Sequence, residues 1–364
     1  MNTMAGANNL KQPRLLFLVA CVCALLAIAA LCVDRNAFIA AYLVAWWFWL
    51  GIALGGVANL FVYTLSGGRW GEAIAPFLRA AAAPLPLWAI LFLPLFLTTN
   101  NLYGWHSADS AIDSTQRWWL DRNFFLARGV VYLLIWIALS RHLQRCSARH
   151  AAVGLIVYGV SISLAAVDWI MALTPQWHAT GFGLLAVVGQ LTAGMAFAIA
   201  AIGWSRAQPA ASVFIDLGNL LLMYVLCWAY LAYTQFLIIW AGNLPGEINW
   251  YLMRDTQSWH GIAWLLGATH FMAPLVILLF RDNKTASCLA YLASALLLAH
   301  LLDCAWLILP SLADKIAPHM ALSAALIPAQ AIWMGALWWL CWRRALNKDQ
   351  HPPHELPRGI SHAR

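Results

Sequence analysis

The stretch GVSISLAAVDWIMAL, residues 159–173, is fourteen uncharged residues and one carboxylate, Asp168. A run this apolar reads as a helix inside a bilayer. A charge at bilayer depth costs about 2.5–3.5 kcal/mol on insertion scales. Asp168 therefore has to turn inward, toward a partner or a hydrated gap, and the surrounding chain has to supply it.

The rest of the chain fits that setting. Of its 364 residues 63% are hydrophobic and only 10% charged, where a soluble domain carries about 25% charged residues. Windows of about 20 apolar residues, the length needed to span, fall near 15–33, 37–65, 84–97, 124–139 and 151–173. Five more lie near 180–204, 213–241, 260–280, 287–309 and 320–342. The segment 84–97 is short and carries Pro84, Pro86 and Pro94, which reads as a broken helix. The expected fold is all-α and polytopic, with about ten transmembrane helices.

Alternating ten spans puts fifteen Lys and Arg on the side of the termini. Only Arg35, Arg117, Arg122, Arg254 and Lys315 lie on the other, and Arg128 is within a span. The positive-inside rule then places both termini in the cytoplasm, as tails 1–14 and 343–364 around a membrane domain 15–342. Lys11 and Arg14 ahead of an apolar run resemble a signal peptide, but no small-residue cleavage site precedes Asp34, so a retained first span is expected. The outer side carries Asp34, Asp109, Asp113, Asp121, Glu247, Asp255 and Asp314. Its two longer loops, 98–123 and 242–257, are rich in Trp and Tyr, as for docking a partner domain or anchoring at the headgroups.

Composition also excludes classes. The net charge of +7 is spread over short loops with no basic stripe, so no nucleic-acid partner is expected. None of the eight cysteines forms C-x-x-C, which leaves no ligand set for covalent haem or an iron–sulfur cluster. Cys21, Cys23, Cys227, Cys288 and Cys304 read as small hydrophobic residues within spans, and Cys146 lies in a loop.

The informative residues are polar groups at membrane depth: Arg128, Asp168, Asp216, His270, His300 and Asp303. From a 1.5 Å rise per residue, Arg128 and Asp168 reach about the same depth, roughly 6–8 Å below the outer ends of antiparallel neighbours. They pair, either as a register-fixing ion pair or as part of an outward pocket in which Asp168 handles protons. His270 falls near the midplane, with His300 at similar depth and Asp303 on the same face of the next helix, a proton-relay pattern. A b-type haem between the two histidines has only that spacing in its favour. Asp216 falls near the start of the seventh span, where it reads as a first-turn charge favoured by the helix dipole. With Tyr230 and Thr234 farther along it also reads as a polar trail toward the membrane middle. Gly51 and Gly55 give a G-x-x-x-G spacing for close helix approach.

Six motifs, in order, carry a resemblance. They are YLVAWWFWLGIALGGVANLFVYTLSGGRWGEAI (42–74), LYGWHS (102–107) and VDWIMALTPQWHATGFG (167–183), then DLGNLLLMYVLCWAYLAYTQFLIIWAGNLPGEINWYLMR (216–254), HFMAPLVILLFRDNK (270–284) and DCAWLILP (303–310). The chain resembles the subunit-F family of alternative complex III, within the NrfD-like, polysulfide-reductase-type membrane superfamily. The resemblance implies two four-helix bundles, about 37–173 and 180–310, with peripheral helices beside them. It implies a bacterial inner-membrane subunit that supports quinol oxidation, and proton translocation with it, without a redox centre of its own. Implied partners are an NrfD-like paralogue, an iron–sulfur protein and a multihaem cytochrome c, or a terminal oxidase. In the superfamily the outward side of the first bundle holds a quinol or quinone, a site the resemblance credits chiefly to the NrfD-like paralogue, with this subunit as its companion and carrier of a proton path. Asp168, Asp216 and His270 match the family's Asp-Trp, Asp-Leu-Gly and His-Phe positions. Pro245-Gly246-Glu247 departs from the family's Pro-Glu-Glu. Two other readings stay open, a secondary transporter with a midplane site at His270, His300 and Asp303, and a structural anchor.

Overall fold

The computed structural model describes residues 13–106, 114–143, 147–205 and 209–350, and these contain helices and turns with no strand among them. Lys11, Asp109, Asp113 and Cys146, named above, lie outside the described residues, as do Arg145, Arg206, Arg358 and Arg364, which are among the fifteen basic residues placed on the side of the termini.

Long uncharged runs become helices because only a helix satisfies every backbone group within one segment in hydrocarbon. The chain opens with α1 (Pro13–Val33) and α2 (Arg35–Ser66). Then come α3 (Arg69–Ala82), α4 (Leu85–Leu91) and α5 (Leu93–Leu97). Short helices α6 (Thr99–Leu102) and α7 (Ser114–Trp119) lead to α8 (Arg122–His142) and α9 (Ala148–Trp169). Next are α10 (Phe182–Trp204), α11 (Ala211–Gly242) and the short α12 (Pro245–Leu252). α13 (Gln257–Leu266) and α14 (Ala273–Leu279) are joined by a π-helical turn at Gly267–Met272. α15 (Ala286–Ile308), α16 (Ala313–Ile316) and α17 (Met320–Gln350) complete the described chain. Among the described residues eight segments are long and apolar enough to cross a membrane, and the last, Ala286–Lys348, is broken between α15 and α17 by turns at Pro310–Leu312 and Ala317–His319. This is a multi-pass membrane protein of the all-α class.

One span differs from expectation. The segment expected at 84–97 begins fifteen residues earlier, and Arg69–Leu97 forms one apolar helical segment broken after Ala82 and at Phe92. Arg69, Glu72 and Arg79 hide α3 from a hydropathy window. Glu72 and Arg79 are exposed, while Trp70, Ile74, Phe77 and Leu78 are buried, so α3 is amphipathic rather than a loop. The broken segment runs antiparallel to α2. Trp46 Nε1 donates to the Trp88 carbonyl (3.0 Å), Trp88 Nε1 to the Trp46 carbonyl (3.1 Å), and the Tyr42 hydroxyl to the Leu91 carbonyl (2.6 Å). The Tyr42 hydroxyl serves a carbonyl beside the break at Phe92, and the reciprocal Trp46–Trp88 bonds hold the two segments together in the buried interior.

The buried centre is α2, covered by α3, α9, α10, α15 and α17. Where α2 crosses α10, Gly55 and Gly194 bring the two backbones together. Asn59, one turn on, donates to the Gly55 carbonyl (2.8 Å) and the Leu191 carbonyl (2.9 Å) and accepts from the Tyr224 hydroxyl (2.9 Å). A single carboxamide thus ties α2, α10 and α11 together at a depth where hydrocarbon offers no competitor.

At the opposite end of α2, Asp34 accepts from the backbone N–H of Asn36 (2.7 Å) and Ala37 (3.0 Å), and His319 Nδ1 lies 2.7 Å from its other oxygen. The start of α2 is thereby clamped to the start of α17. Burial alone raises the Asp34 carboxyl, but the Ala37 and Asn36 N–H groups and His319 outweigh it and hold its pKa below the ordinary value. A carboxyl depressed on folding contributes stability that is full above its unfolded pKa, near 4, and lost as pH falls through the folded value. The melting temperature in detergent should therefore drop on acidification below about pH 4. Asp34→Asn keeps a good N-cap and should flatten that part of the curve. An unchanged acid limb in the variant would remove Asp34 as its source.

Candidate functional site

Asp168 is the penultimate residue of α9, at the carbonyl end of a helix, where the macrodipole disfavours an anion. The fold offsets this with donors from two other elements. Arg128 Nε reaches Asp168 Oδ2 at 2.8 Å and Nη2 reaches Oδ1 at 2.9 Å. Trp119 Nε1 donates to Oδ1 (2.9 Å) and the Tyr132 hydroxyl to Oδ2 (2.8 Å). Asp168 is fully buried, and each carboxylate oxygen accepts two hydrogen bonds. The pair expected from depth alone is present as a bidentate ion pair, the geometry in which Arg and carboxylate bind most strongly.

Arg128 is as well placed as its partner. Its Nη1 donates to the Trp119 carbonyl (2.9 Å), and its guanidinium lies 4.0 Å from the Trp119 ring centre and 4.4 Å from that of Phe124. The second turn of α8 presents it, behind an N-cap in which Asp121 accepts from Phe124 N (3.0 Å). With all four acceptor directions filled, Asp168 cannot take a further hydrogen bond without giving one up. Its first effect is to fix the Trp119 indole.

That indole is one wall of a cavity of about 330 Å³. Trp118, Trp119, Leu120, Val167, Met171, Ala172, Pro175 and Trp177 line it, with Gln116 and His178 as polar members. Gln116 Nε2 donates to the Pro175 carbonyl (3.2 Å) and also contacts His178 Nε2. An apolar, aromatic-walled cleft with a few placed polar groups is the common form of a small-molecule site, and the volume lies at the lower end of the usual 300–1,000 Å³. The void between Leu43, Phe96 and Trp169 holds only about 10 Å³.

The second group of predicted residues meets in the other half of the molecule. His270 stands on the π-turn and is wholly buried, its ring 4.1 Å from the Trp228 ring and 6.3 Å from that of His300. His300 Nε2 lies 3.9 Å from Cys304 Sγ, and the ring sits against Gly51 of α2 and Gly189 of α10. Both nitrogens of His270, Nδ1 of His300 and Nε2 of the neighbouring Gln190 have no hydrogen-bond partner among the described residues. Gln190 Oε1 accepts from the Tyr158 hydroxyl at 3.0 Å, which extends the polar line into the first half of the chain. Asp303 is buried one turn from His300, as its spacing required, but no hydrogen bond joins the two. Among the described residues no three His, Cys, Asp or Glu side chains are grouped to hold a metal ion.

Two predicted residues do not join either group. α11 begins at Ala211, so Asp216 lies beyond the first turn, and its side chain is exposed rather than capping. Tyr230 is 67% exposed on the outer face of the same helix. The polar trail read from Asp216 through Tyr230 into the membrane interior is therefore absent. The inward-facing tyrosine is Tyr224, bonded to Asn59.

Trp119, Tyr132, His178, Gln190 and Asn59 carry contacts that the sequence reading did not single out. Tyr132 and Asn59 stood one helical turn beyond Arg128 and Gly55, a spacing that marks a shared face. Arg254 is a different case. It is buried, stacks 3.4 Å over the Trp250 ring centre, and donates to the carbonyls of Trp250 (2.7 Å), Trp306 (3.1 Å) and Leu307 (2.8 Å). It caps the end of α15, with Nη2 donating also to the Ser311 hydroxyl (3.2 Å), so that all three of its nitrogens are engaged by the protein.

Compared with known proteins, the sequence matches no family model and no curated protein.

Proposed function

We propose that this chain is an integral membrane subunit of a bacterial quinol:electron-acceptor oxidoreductase of the alternative complex III type. In this reading it crosses the inner membrane ten times, α1 and the two arms of Ala286–Lys348 included, with both termini on the basic, cytoplasmic side. Its spans form two four-helix bundles, and the Trp-walled cavity opens on the outer side of the first. The single observation that carries the proposal is that cavity, with Trp119 fixed by the buried Asp168–Arg128 pair and His178 at its polar edge.

A quinol headgroup suits the site as a flat, largely apolar ring with two hydroxyls. Trp118, Trp119 and Trp177 offer faces, and His178 and Gln116 offer hydrogen bonds. Oxidation of quinol to quinone releases two protons and two electrons. The electrons pass to an iron–sulfur or multihaem partner, since this chain brings no redox centre to the proposal. His178 takes up one of the two protons at the mouth and the other leaves to the outer water, while the His270–His300 pair with Gln190 and Tyr158 provides a separate midplane group for proton transfer.

The test uses the purified chain in detergent and a short-chain quinone, with tryptophan fluorescence as the readout. Saturable quenching that Met171→Trp weakens at least tenfold, by filling the cavity, is the expected result. Quenching that grows without saturating, or that Met171→Trp leaves unchanged, would overturn the assignment.

A transporter remains the second reading because of one observation. The membrane segment Gln257–Leu279 is interrupted by a π-turn and Pro274, so Arg69–Leu97 is not the sole broken span. Interrupted helices near the midplane are common at transporter sites. Solute uptake by the single chain in liposomes would select that reading.

A further inference from the structure

Two walls enclose the Trp-lined cavity. Trp118, Trp119 and Leu120, at the end of α7, form one, and the end of α9 with the turn through His178 forms the other. Two ties cross between them. The deep one is the bond from Trp119 Nε1 to the buried Asp168, backed by Arg128. The second lies at the mouth, where Gln116 of α7 meets Pro175 and the exposed His178. The wall that carries His178 is itself well anchored. Its Trp177 is buried and stacks on Trp250 of α12, with 4.3 Å between ring centres and 11° between planes. Movement at the mouth therefore belongs to α7.

The mouth tie depends on where one proton sits. A single atom, Gln116 Nε2, serves both neighbours. The Pro175 carbonyl can only accept, so the amide has to present its nitrogen there. That nitrogen carries two hydrogens and accepts nothing, so its contact with His178 Nε2 requires the imidazole nitrogen to be the acceptor. The neutral ring then holds its proton on Nδ1, and the next proton can go only to Nε2. Two N–H groups would face each other, and the bond is lost. Turning the amide over gives no rescue, because Oε1 would then lie against the Pro175 carbonyl oxygen with no hydrogen between them. The charged groups on the surrounding elements are Arg117 on α7, Asp121, Arg122 and Arg128 at the start of α8, Asp168 on α9 and Glu247 on α12. Arg128 and Asp168 are spent on each other, and among the described residues none of the six pairs with His178.

We infer that Gln116 and His178 form a proton-released clasp on this cavity. A proton on His178 Nε2 frees the first turn of α7 and opens the mouth, while Trp119 stays fixed as the hinge. In turnover the inference rests on the quinol reading for the source of that proton. The quinol O–H bond breaks, the Nε2–H bond forms, and the electrons go to the redox partner, so the mouth opens when the cavity holds product. Loss of the proton to the outer water closes it again. Without ligand, outer pH does the same, since an imidazole ordinarily titrates between about pH 5 and 8.

The experiment follows hydrogen–deuterium exchange of the full chain in detergent, without ligand, on the peptide covering residues 114–120. Rates at about pH 8 and about pH 5.5 bracket imidazole titration, and the intrinsic pH dependence of exchange is divided out. Loss of one hydrogen bond should raise exchange at the lower pH about fivefold. His178→Gln gives Gln116 an acceptor that does not titrate and should hold the slow rate at both pH values. Gln116→Leu should show the fast rate at both. Exchange that ignores pH, or that responds equally in His178→Gln, would overturn the inference. Quinone quenching is recorded on the same samples. A responsive α7 without saturable quenching leaves the clasp standing and removes the quinol reading, whereas saturable quenching with an unresponsive α7 does the reverse.

Discussion

Arg128→Leu is expected to destabilise the protein by about 3–5 kcal/mol, the usual result of removing one partner from a buried ion pair. The cost lies in what is left behind. Asp168 would keep Trp119 and Tyr132 as donors but lose the cation that offsets a buried carboxylate at a helix C-terminus. Arg128→Leu with Asp168→Leu removes both charges together, and such replacements are often neutral or stabilising. The double variant should therefore recover most of the lost stability while losing the hold on the Trp119 indole. Thermal unfolding in detergent measures the first effect, and the quinone titration the second. If the double variant melts as low as Arg128→Leu, the loss is one of packing and not of an unpaired charge.

The double variant also separates two roles that the sequence left open. A pair that only fixes register should, once replaced by leucines, leave ligand affinity in the Trp-walled cavity unchanged. A pair that holds Trp119 for a ligand should lose affinity while the fold survives. Because Asp168 already accepts four hydrogen bonds, the second outcome would act through the indole rather than through direct contact with Asp168.

Arg128 and Asp168 were legible because charge is scarce in this chain. Two ionisable groups at one depth on antiparallel neighbours have few other ways to be tolerated. His270 and His300 were legible for the same reason. Asp216 and Tyr230 were not, because α11 is apolar on nearly every side. With no polar face for contrast, periodicity cannot say which stripe points inward. The start of the third membrane segment failed the opposite way. Arg69, Glu72 and Arg79 give α3 a polar face, and a window average mistakes an amphipathic helix for a loop. Trp119 escaped notice because its role comes from a hydrogen bond across elements, between α7 and α9, which no local spacing encodes.

Gly55→Ala is expected to prevent α2 and α10 from meeting. A Cβ at Gly55 would lie 1.9 Å from the Gln190 carbonyl oxygen, 2.8 Å from its carbon and 2.9 Å from Gly194 N. All three are backbone atoms, so no rotamer change relieves the overlap and the helices must separate. Separation breaks the Asn59 bond to Leu191 and strains its bond with Tyr224, which removes the tie between α2, α10 and α11. The cost should exceed the roughly 1–3 kcal/mol typical of overpacking in cores that can adjust. Gly51→Ala, four residues earlier in the same G-x-x-x-G, is the control. Its Cβ would meet Gln190 Cγ at 3.4 Å and His300 Nε2 at 3.5 Å, ordinary contacts with side chains. Monodisperse protein recovered by size-exclusion chromatography should be near native for Gly51→Ala and at least tenfold lower for Gly55→Ala. Equal recovery of the two would mean that the α2–α10 crossing tolerates a wider spacing, and that Asn59 rather than the glycine contact sets the distance between these helices.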